Sequence, residues 1–296
     1  MTCNETGNLF ASSFVYPMSV DFQEVSVSKV KILVFLCLTI LLLAVSCTFA
    51  MADYKEDFAK TLPLKAGDRF SLDNVNGDVA VTTWREDKVE IKAVKTARRS
   101  EADLDKVEIR VEESSGTVSV KAIWPKFPRR ANVRVDFEIR VPEGVVLDEV
   151  ETTNGGIDVT GRFGRADLGS TNGTITVEGG SGELEASTTN GDVRIRRFDG
   201  RIAADTTNGN IRIEDVVFKD GLEADTTNGS ITLVFVSPET INADLDASTT
   251  NGHITVDFPV TLKALRQSKR HVEAKIGQGG PLIELHTTNG SIKLTK

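Results

Sequence analysis

The chain has 296 residues and a formal charge of −8, with 40% hydrophobic and 26% charged residues. That composition is globular, neither disordered nor collagen-like. The acidic balance argues against a general affinity for nucleic acid, which needs a net basic face, and the basic islands Arg98-Arg99, Arg129-Arg130 and Lys269-Arg270 read as solvated surface.

The first element is a targeting segment over residues 1–52. Lys29 and Lys31 precede Ile32 to Val45, an uncharged run of fourteen residues. A membrane span needs about 20 residues, whereas a signal-peptide core is this short. Ala50-Met51-Ala52 places small residues at both cleavage-pocket positions, so cleavage is expected after Ala52, with Ala50 as the second choice and Met18 as a candidate start. The alternatives are a lipid anchor at Cys47 in "LAVSC", which Ala44 weakens, and an uncleaved anchor. All three expectations put residues 53–296 outside the cytoplasm, in the periplasm, the cell envelope or the medium, touching membrane only through the leader or Cys47. The three cysteines, Cys3, Cys37 and Cys47, all lie in this segment. The remainder therefore has no disulfide, thiol nucleophile or cysteine metal site.

Residues 53–147 alternate as strands, with turns at Glu86-Asp87 and Ser115-Gly116 and a charged, helix-permissive excursion at "ARRSEADLDK". Pro125 and Pro128 interrupt the pattern, and "ANVRVDFEIRVPEG" resumes it. A repeat stack must shield its open end, so this region is expected to be a β-rich N-terminal cap.

Residues 148–296 are expected to be the solenoid repeats, and one phrase returns there seven times and once before them. Asn-Gly closes alternating runs at Asn76-Gly77, Asn154-Gly155, Asn172-Gly173, Asn190-Gly191, Asn208-Gly209, Asn228-Gly229, Asn251-Gly252 and Asn289-Gly290, usually as Thr-Thr-Asn-Gly. From Asn154 the steps are 18, 18, 18, 20, 23 and 38 residues. A fixed period near 20 signals stacked repeats. The last step, twice 19, implies a degenerate rung near 260–280, its corner replaced by a basic loop around Gln267–His271.

Within a repeat, Leu184, Ala186 and Thr188 alternate with polar residues before Asn190, and Val193 and Ile195 do so after Gly191. The change of parity requires a turn, and Gly209 and its equivalents are expected at positive φ. An antiparallel meander of Asn-Gly hairpins fits this pattern, and so does a β-solenoid of 18–20-residue rungs. Repetition of the same letters favours the solenoid, because stacked rungs place equivalent residues about 4.8 Å apart, where Thr and Asn form ladders. Asn208 is expected to bond to Asn190 and Asn228, and Asn289, on the last rung, to have one neighbour.

The sequence "SLDNVNGDVAVTTWREDKVEIKA", then "VDFEIRVPEG", then serial T-N-G-x-I rungs ending in "LIELHTTNGSIKLT", resembles the bacterial putative-adhesin family, defined by a domain of unknown function. The resemblance covers roughly residues 70–296. It implies an exported, all-β, solenoid-like protein with no established enzymatic role.

The residues themselves suggest little chemistry. His253, His271 and His286 lack zinc-site spacing, and no Gly-rich loop precedes a helix, so neither a metal, a cofactor nor catalysis is expected. Asp205 and Asp225 are the strongest enzymatic lead, since serial stacking puts their carboxyl groups about 5 Å apart, as in a retaining glycosidase. They also fit an exposed polar column with Ser187 and Ser248, and Trp84 and Trp124, the sugar-stacking residue types, both fall in the cap. Outward rows read Glu185, Ala203, Glu223 and Asp246 before the turn and Arg194, Arg212, Thr232 and Thr255 after it. Such rows suit a glycan, an envelope component or a protein partner. An ice-binding threonine face is the remote alternative, opposed by the charges beside it. The reading is a non-enzymatic, adhesin-like or scaffold protein.

Overall fold

Each Asn-Gly corner joins two strands, and equivalent strands of neighbouring repeats pair in parallel, so the chain is a β-solenoid and not a meander. The computed structural model describes residues 53–125, 132–235, 241–257 and 262–296, with the backbone alone at 262–265 and 267. Residues 1–52, where a leader is expected, with Cys47 among them, and the Arg129-Arg130 pair lie outside the described residues.

Eight rungs carry the corner. They are Arg69–Asn76 with Val79–Trp84, Val146–Asn154 with Ile157–Gly161, Ala166–Asn172 with Ile175–Gly179, and Ser181–Asn190 with Val193–Arg196. Then follow Asp199–Asn208 with Ile211–Glu214, Leu222–Asn228 with Ile231–Val234, Ala243–Asn251 with Ile254–Asp257, and Leu282–Asn289 with Ile292–Thr295. Strands before the corner form one sheet and strands after it a second. The inward residues of both, such as Leu184, Ala186, Val193 and Ile195, are fully buried between them. Each large aliphatic side chain so buried contributes roughly 1.5–3 kcal/mol.

The stack does not follow chain order at either end. The last rung inserts between its two predecessors: Leu282–Asn289 pairs with Leu222–Asn228 on one side and Ala243–Asn251 on the other. The terminal rung is therefore that of Asn251, and Asn289 has two neighbours rather than the one expected. Nor is there a degenerate rung near 260–280. Leu262–Gln267 and His271–Ile276 form an antiparallel hairpin laid against Ala243–Asn251, covering the edge of the first sheet. Twice 19 residues thus measures a hairpin and a return. The hairpin tip, Ser268–Arg270, is exposed.

At the other end a rung without the Asn-Gly corner does exist. Thr117–Ile123 and Val133–Pro142 pair in parallel with the two arms of the Asn76 rung. Glu108–Ser114 extends the first sheet antiparallel, and Lys88–Ala97 followed by Tyr54–Pro63 extends the second. The outermost strands carry Glu108, Arg110, Glu112 and Glu113 in one sheet and Lys55, Glu56, Asp57 and Lys60 in the other, charges that discourage edge pairing. The charged excursion forms a 3₁₀ turn, Glu101–Lys106, anchored by buried Leu104.

Apart from Gly77 (φ 130°), the corner glycines serve closeness, not positive φ. Gly209 and the other corner glycines after Gly77 do not occupy the left-handed region. A Cβ on Gly209 would instead lie 1.8 Å from the Gly191 carbonyl oxygen of the rung below. Left-handed backbone sits at the opposite corner, at Gly161 (φ 120°), Gly179 (97°), Arg197 (54°) and Asp215 (52°). There Phe163, Phe198, Phe218 and Phe235 plug the core. The Phe163 and Phe198 rings stand 6.2 Å apart, and a Cβ on Gly180 would meet the Phe163 ring at 2.5 Å.

Candidate functional site

The repeated corner builds two ladders. Asparagine Nδ2 donates to the Oδ1 of the adjacent rung in one unbroken direction. It runs from Asn154 to Asn76 at 2.7 Å, then Asn172 to Asn154, Asn190 to Asn172, Asn208 to Asn190, Asn228 to Asn208, Asn289 to Asn228, and Asn251 to Asn289 at 2.8 Å. Beneath it, the inward Thr206 hydroxyl donates to the Gly191 carbonyl at 2.9 Å, and Thr152, Ser170, Thr188, Thr226, Thr249 and Thr287 repeat that bond. The buried hydroxyls are thereby satisfied, as burial requires. In the first rung Asn74 takes the threonine's place, donating to the Val135 and Gly77 carbonyls at 3.0 and 3.2 Å.

Outside the ladders, the face of the first sheet carries a groove of about 670 Å³. In stack order its floor is the row Ser187, Asp205, Asp225, His286 and Ser248, in register across five strands. Beside that row runs an exposed one: Thr189, Thr207, Thr227, Thr288 and Thr250.

Asp205 and Asp225 are therefore side by side, but Ser248 is not Asp225's neighbour. The inserted last rung places His286 between them, and its Nδ1 is hydrogen-bonded to the Ser248 hydroxyl. Sequence reasoning missed His286 in this row because serial stacking assigned the place to Ser248. The repeat itself held the signal, since "IELHTTNG" puts His286 three residues before its asparagine, like Asp205 and Asp225.

Burial, and after it the neighbouring charges, shifts the carboxyl pKa values upward. Asp205 is pushed up to about 6, first by burial of its carboxyl in the groove and then by Asp225, Glu223 and Glu185. Asp225 is raised by burial, opposed by His286. Further along the face, Glu151 and Asp167 are raised for the same first reason, with Glu149 and Glu185 respectively next. Chemically the floor is a row of hydroxyl, carboxyl and imidazole groups in register, with Asp205 and Asp225 on adjacent strands.

The outer rows differ between sheets. On the first, Glu185, Ala203, Glu223, Glu284 and Asp246 follow in stack order. On the second, the row is Arg194, Arg212, Thr232, Lys293 and Thr255. Its arginines are tied up: Arg194 pairs with Asp192 at 2.6 Å and Arg212 with Glu214. Trp84 is engaged away from the groove, its Nε1 donating to the Lys88 carbonyl at 2.8 Å. Among the described residues, no three His, Cys, Asp or Glu side chains are grouped to hold a metal ion, and no helix is long and apolar enough to cross a membrane.

No curated protein matches the chain. Among solved structures it is similar to a putative cell adhesion protein of Clostridium sporogenes, at 12% identity and a TM-score of 0.35, covering 81% of this chain and 99% of that one. A putative lipid binding protein of Parabacteroides distasonis is similar at 12% identity and a TM-score of 0.35, with coverage of 81% and 97%. A putative adhesin of the same organism is similar at 10% identity and a TM-score of 0.37, with the same coverage. The family model Toastrack DUF4097 matches residues 61–295, which takes in all eight Asn-Gly corners. The chain belongs to the Toastrack DUF4097 family.

Proposed function

We propose that this chain is an exported, non-enzymatic envelope protein, adhesin-like or scaffold in character, that presents the threonine–carboxylate groove of its first sheet to a glycan. The observation that carries the reading is the groove itself. Hydroxyl and carboxylate groups, with the one imidazole of His286, stand there at rung spacing, about 4.8 Å, on a support held by two continuous hydrogen-bond ladders. Periodic donors and acceptors suit a ligand rich in hydroxyl groups, and a rigid support reduces the entropy lost on binding. The open, aromatic-free groove favours binding over cleavage, which needs a substrate enclosed between positioned groups. The leader pattern at Ile32–Ala52 supports export.

Two measurements test this. Intact mass of the envelope-purified protein is expected to show an N-terminus at Met51 or Asp53, whereas an acylated Cys47 would establish a lipid anchor instead. On a glycan array, the protein beginning at Asp53 is expected to bind a polysaccharide, and Thr207→Lys with Thr227→Lys to abolish the signal. Binding that survives both substitutions would remove the groove from the proposal.

A further inference from the structure

Eight Asn-Gly dipeptides in one chain are a chemical hazard, because asparagine is thermolabile. The glycine nitrogen can attack the asparagine side chain, and glycine has no Cβ to hinder it. The solenoid holds seven of the eight. The amide N–H of Gly77 donates to the Asn154 carbonyl at 2.9 Å, and those of Gly155, Gly173, Gly191, Gly209, Gly229 and Gly290 donate in turn to the asparagine carbonyl of the next rung. The eighth, Gly252, is on the terminal rung, and its N–H has no hydrogen-bond partner among the described residues. Asn251 is exposed, and although its Nδ2 donates to Asn289, no neighbour among the described residues donates to its Oδ1.

We infer that Asn251-Gly252 is the site of spontaneous deamidation in the folded protein, and that stacking protects the other seven. The Gly252 nitrogen attacks Asn251 Cγ, forming the C–N bond of a five-membered succinimide. The Cγ–Nδ2 bond breaks, and Nδ2 leaves as ammonia carrying the proton lost by Gly252. Water then opens either carbonyl to give aspartate or isoaspartate. No oxidant or cofactor enters the balance. The product adds one negative charge at the end of the stack and removes the donor that Asn251 offers to Asn289.

The other end of the ladder is an internal control. Asn76 also has a side-chain end without a ladder partner, since its Nδ2 donates to no neighbour among the described residues, but Gly77 N–H is held by Asn154. If the held glycine amide is what protects, Asn76 stays intact while Asn251 converts.

The test is to incubate the full chain, folded, at mildly alkaline pH, and to follow amide-to-acid conversion at all eight sites by peptide mass mapping, with a parallel sample in urea. A hydrogen-bonded corner must open before the glycine nitrogen can attack, so Asn251 is expected to convert about tenfold or more faster than the other seven in the folded chain. In urea all eight are expected to react at similar rates. A folded chain in which Asn251 is no faster than the rest, or in which Asn76 keeps pace with it, would overturn the inference.

Discussion

Gly209→Ala isolates what the corner demands. An alanine Cβ would sit 1.8 Å from the Gly191 oxygen and 2.5 Å from its carbon, both backbone atoms that no rotamer change can move. Relief requires the Asn190 and Asn208 rungs to part locally. Three bonds cross that gap at the corner: Gly191 N–H to the Asn208 carbonyl (3.1 Å), the Thr206 hydroxyl to the Gly191 carbonyl (2.9 Å) and Asn208 Nδ2 to Asn190 Oδ1 (2.9 Å). At about 0.5–1.5 kcal/mol for each of the two other bonds and about 1–3 kcal/mol for the buried threonine bond, the loss is about 2–6 kcal/mol. Gly67→Ala is the contrasting case. Gly67 sits at φ 85° with nothing within 4 Å of a Cβ, so only the left-handed backbone opposes the change, at roughly 1 kcal/mol. Urea unfolding followed by circular dichroism measures both. The reasoning is refuted if Gly209→Ala costs no more than Gly67→Ala, for then conformation and not close approach selects glycine at the corners.

Three further outcomes are expected. Asn208→Ala removes two ladder bonds and Asn251→Ala removes one, so the unfolding free energy from urea melts should fall by about 1–3 kcal/mol for the first and about half that for the second, each exposed bond being worth about 0.5–1.5 kcal/mol; equal losses would mean that the ladder bonds do not stabilise the stack. Because the folded pKa of Asp205 is raised to about 6 from 3.8, the folded state binds more protons between those values, and the chain should lose stability as pH rises through that window. Asp205→Asn should therefore stabilise at neutral pH and give no gain well below pH 3.8, and a gain independent of pH would rule out the titration. Limited trypsin digestion should cut first at Lys269 or Arg270 on the exposed hairpin tip; first cleavage at Arg194 or Arg212, inside paired strands, would contradict the assigned edge.

Much of this was legible in the sequence because the solenoid writes its geometry into a period. Alternation on either side of Asn190 gave the inward residues, and identity between repeats separated parallel stacking from hairpins. The order of the stack was hidden. Nothing local to "LIELHTTNG" says that its strand lies between those of Asn228 and Asn251, since any rung with aliphatic inward positions fits any slot. The groove row was misassembled for that reason, with Ser248 placed beside Asp225 and His286 left out. The reason for the corner glycines was hidden too, because positive φ and a neighbour 1.8 Å away both select glycine. The left-handed corner went unnoticed because Arg197 and Asp215 occupy it as well as Gly161 and Gly179.

The returns at both ends of the stack bear on how such a rod changes length. A segment duplicated at residues 282–295 would have no free slot, because that rung is flanked on both sides and the terminal place belongs to a rung made earlier in the chain. The same holds at residues 69–84, enclosed by the Val133–Pro142 and Ile157–Gly161 strands. Between Asn154 and Asn228 each rung simply follows the last, and a copied 18-residue unit can be accepted there with matching corners above and below. Each copy would lengthen the rod by about 4.8 Å and the groove with it. The molecule is closed at its ends and extensible from its middle.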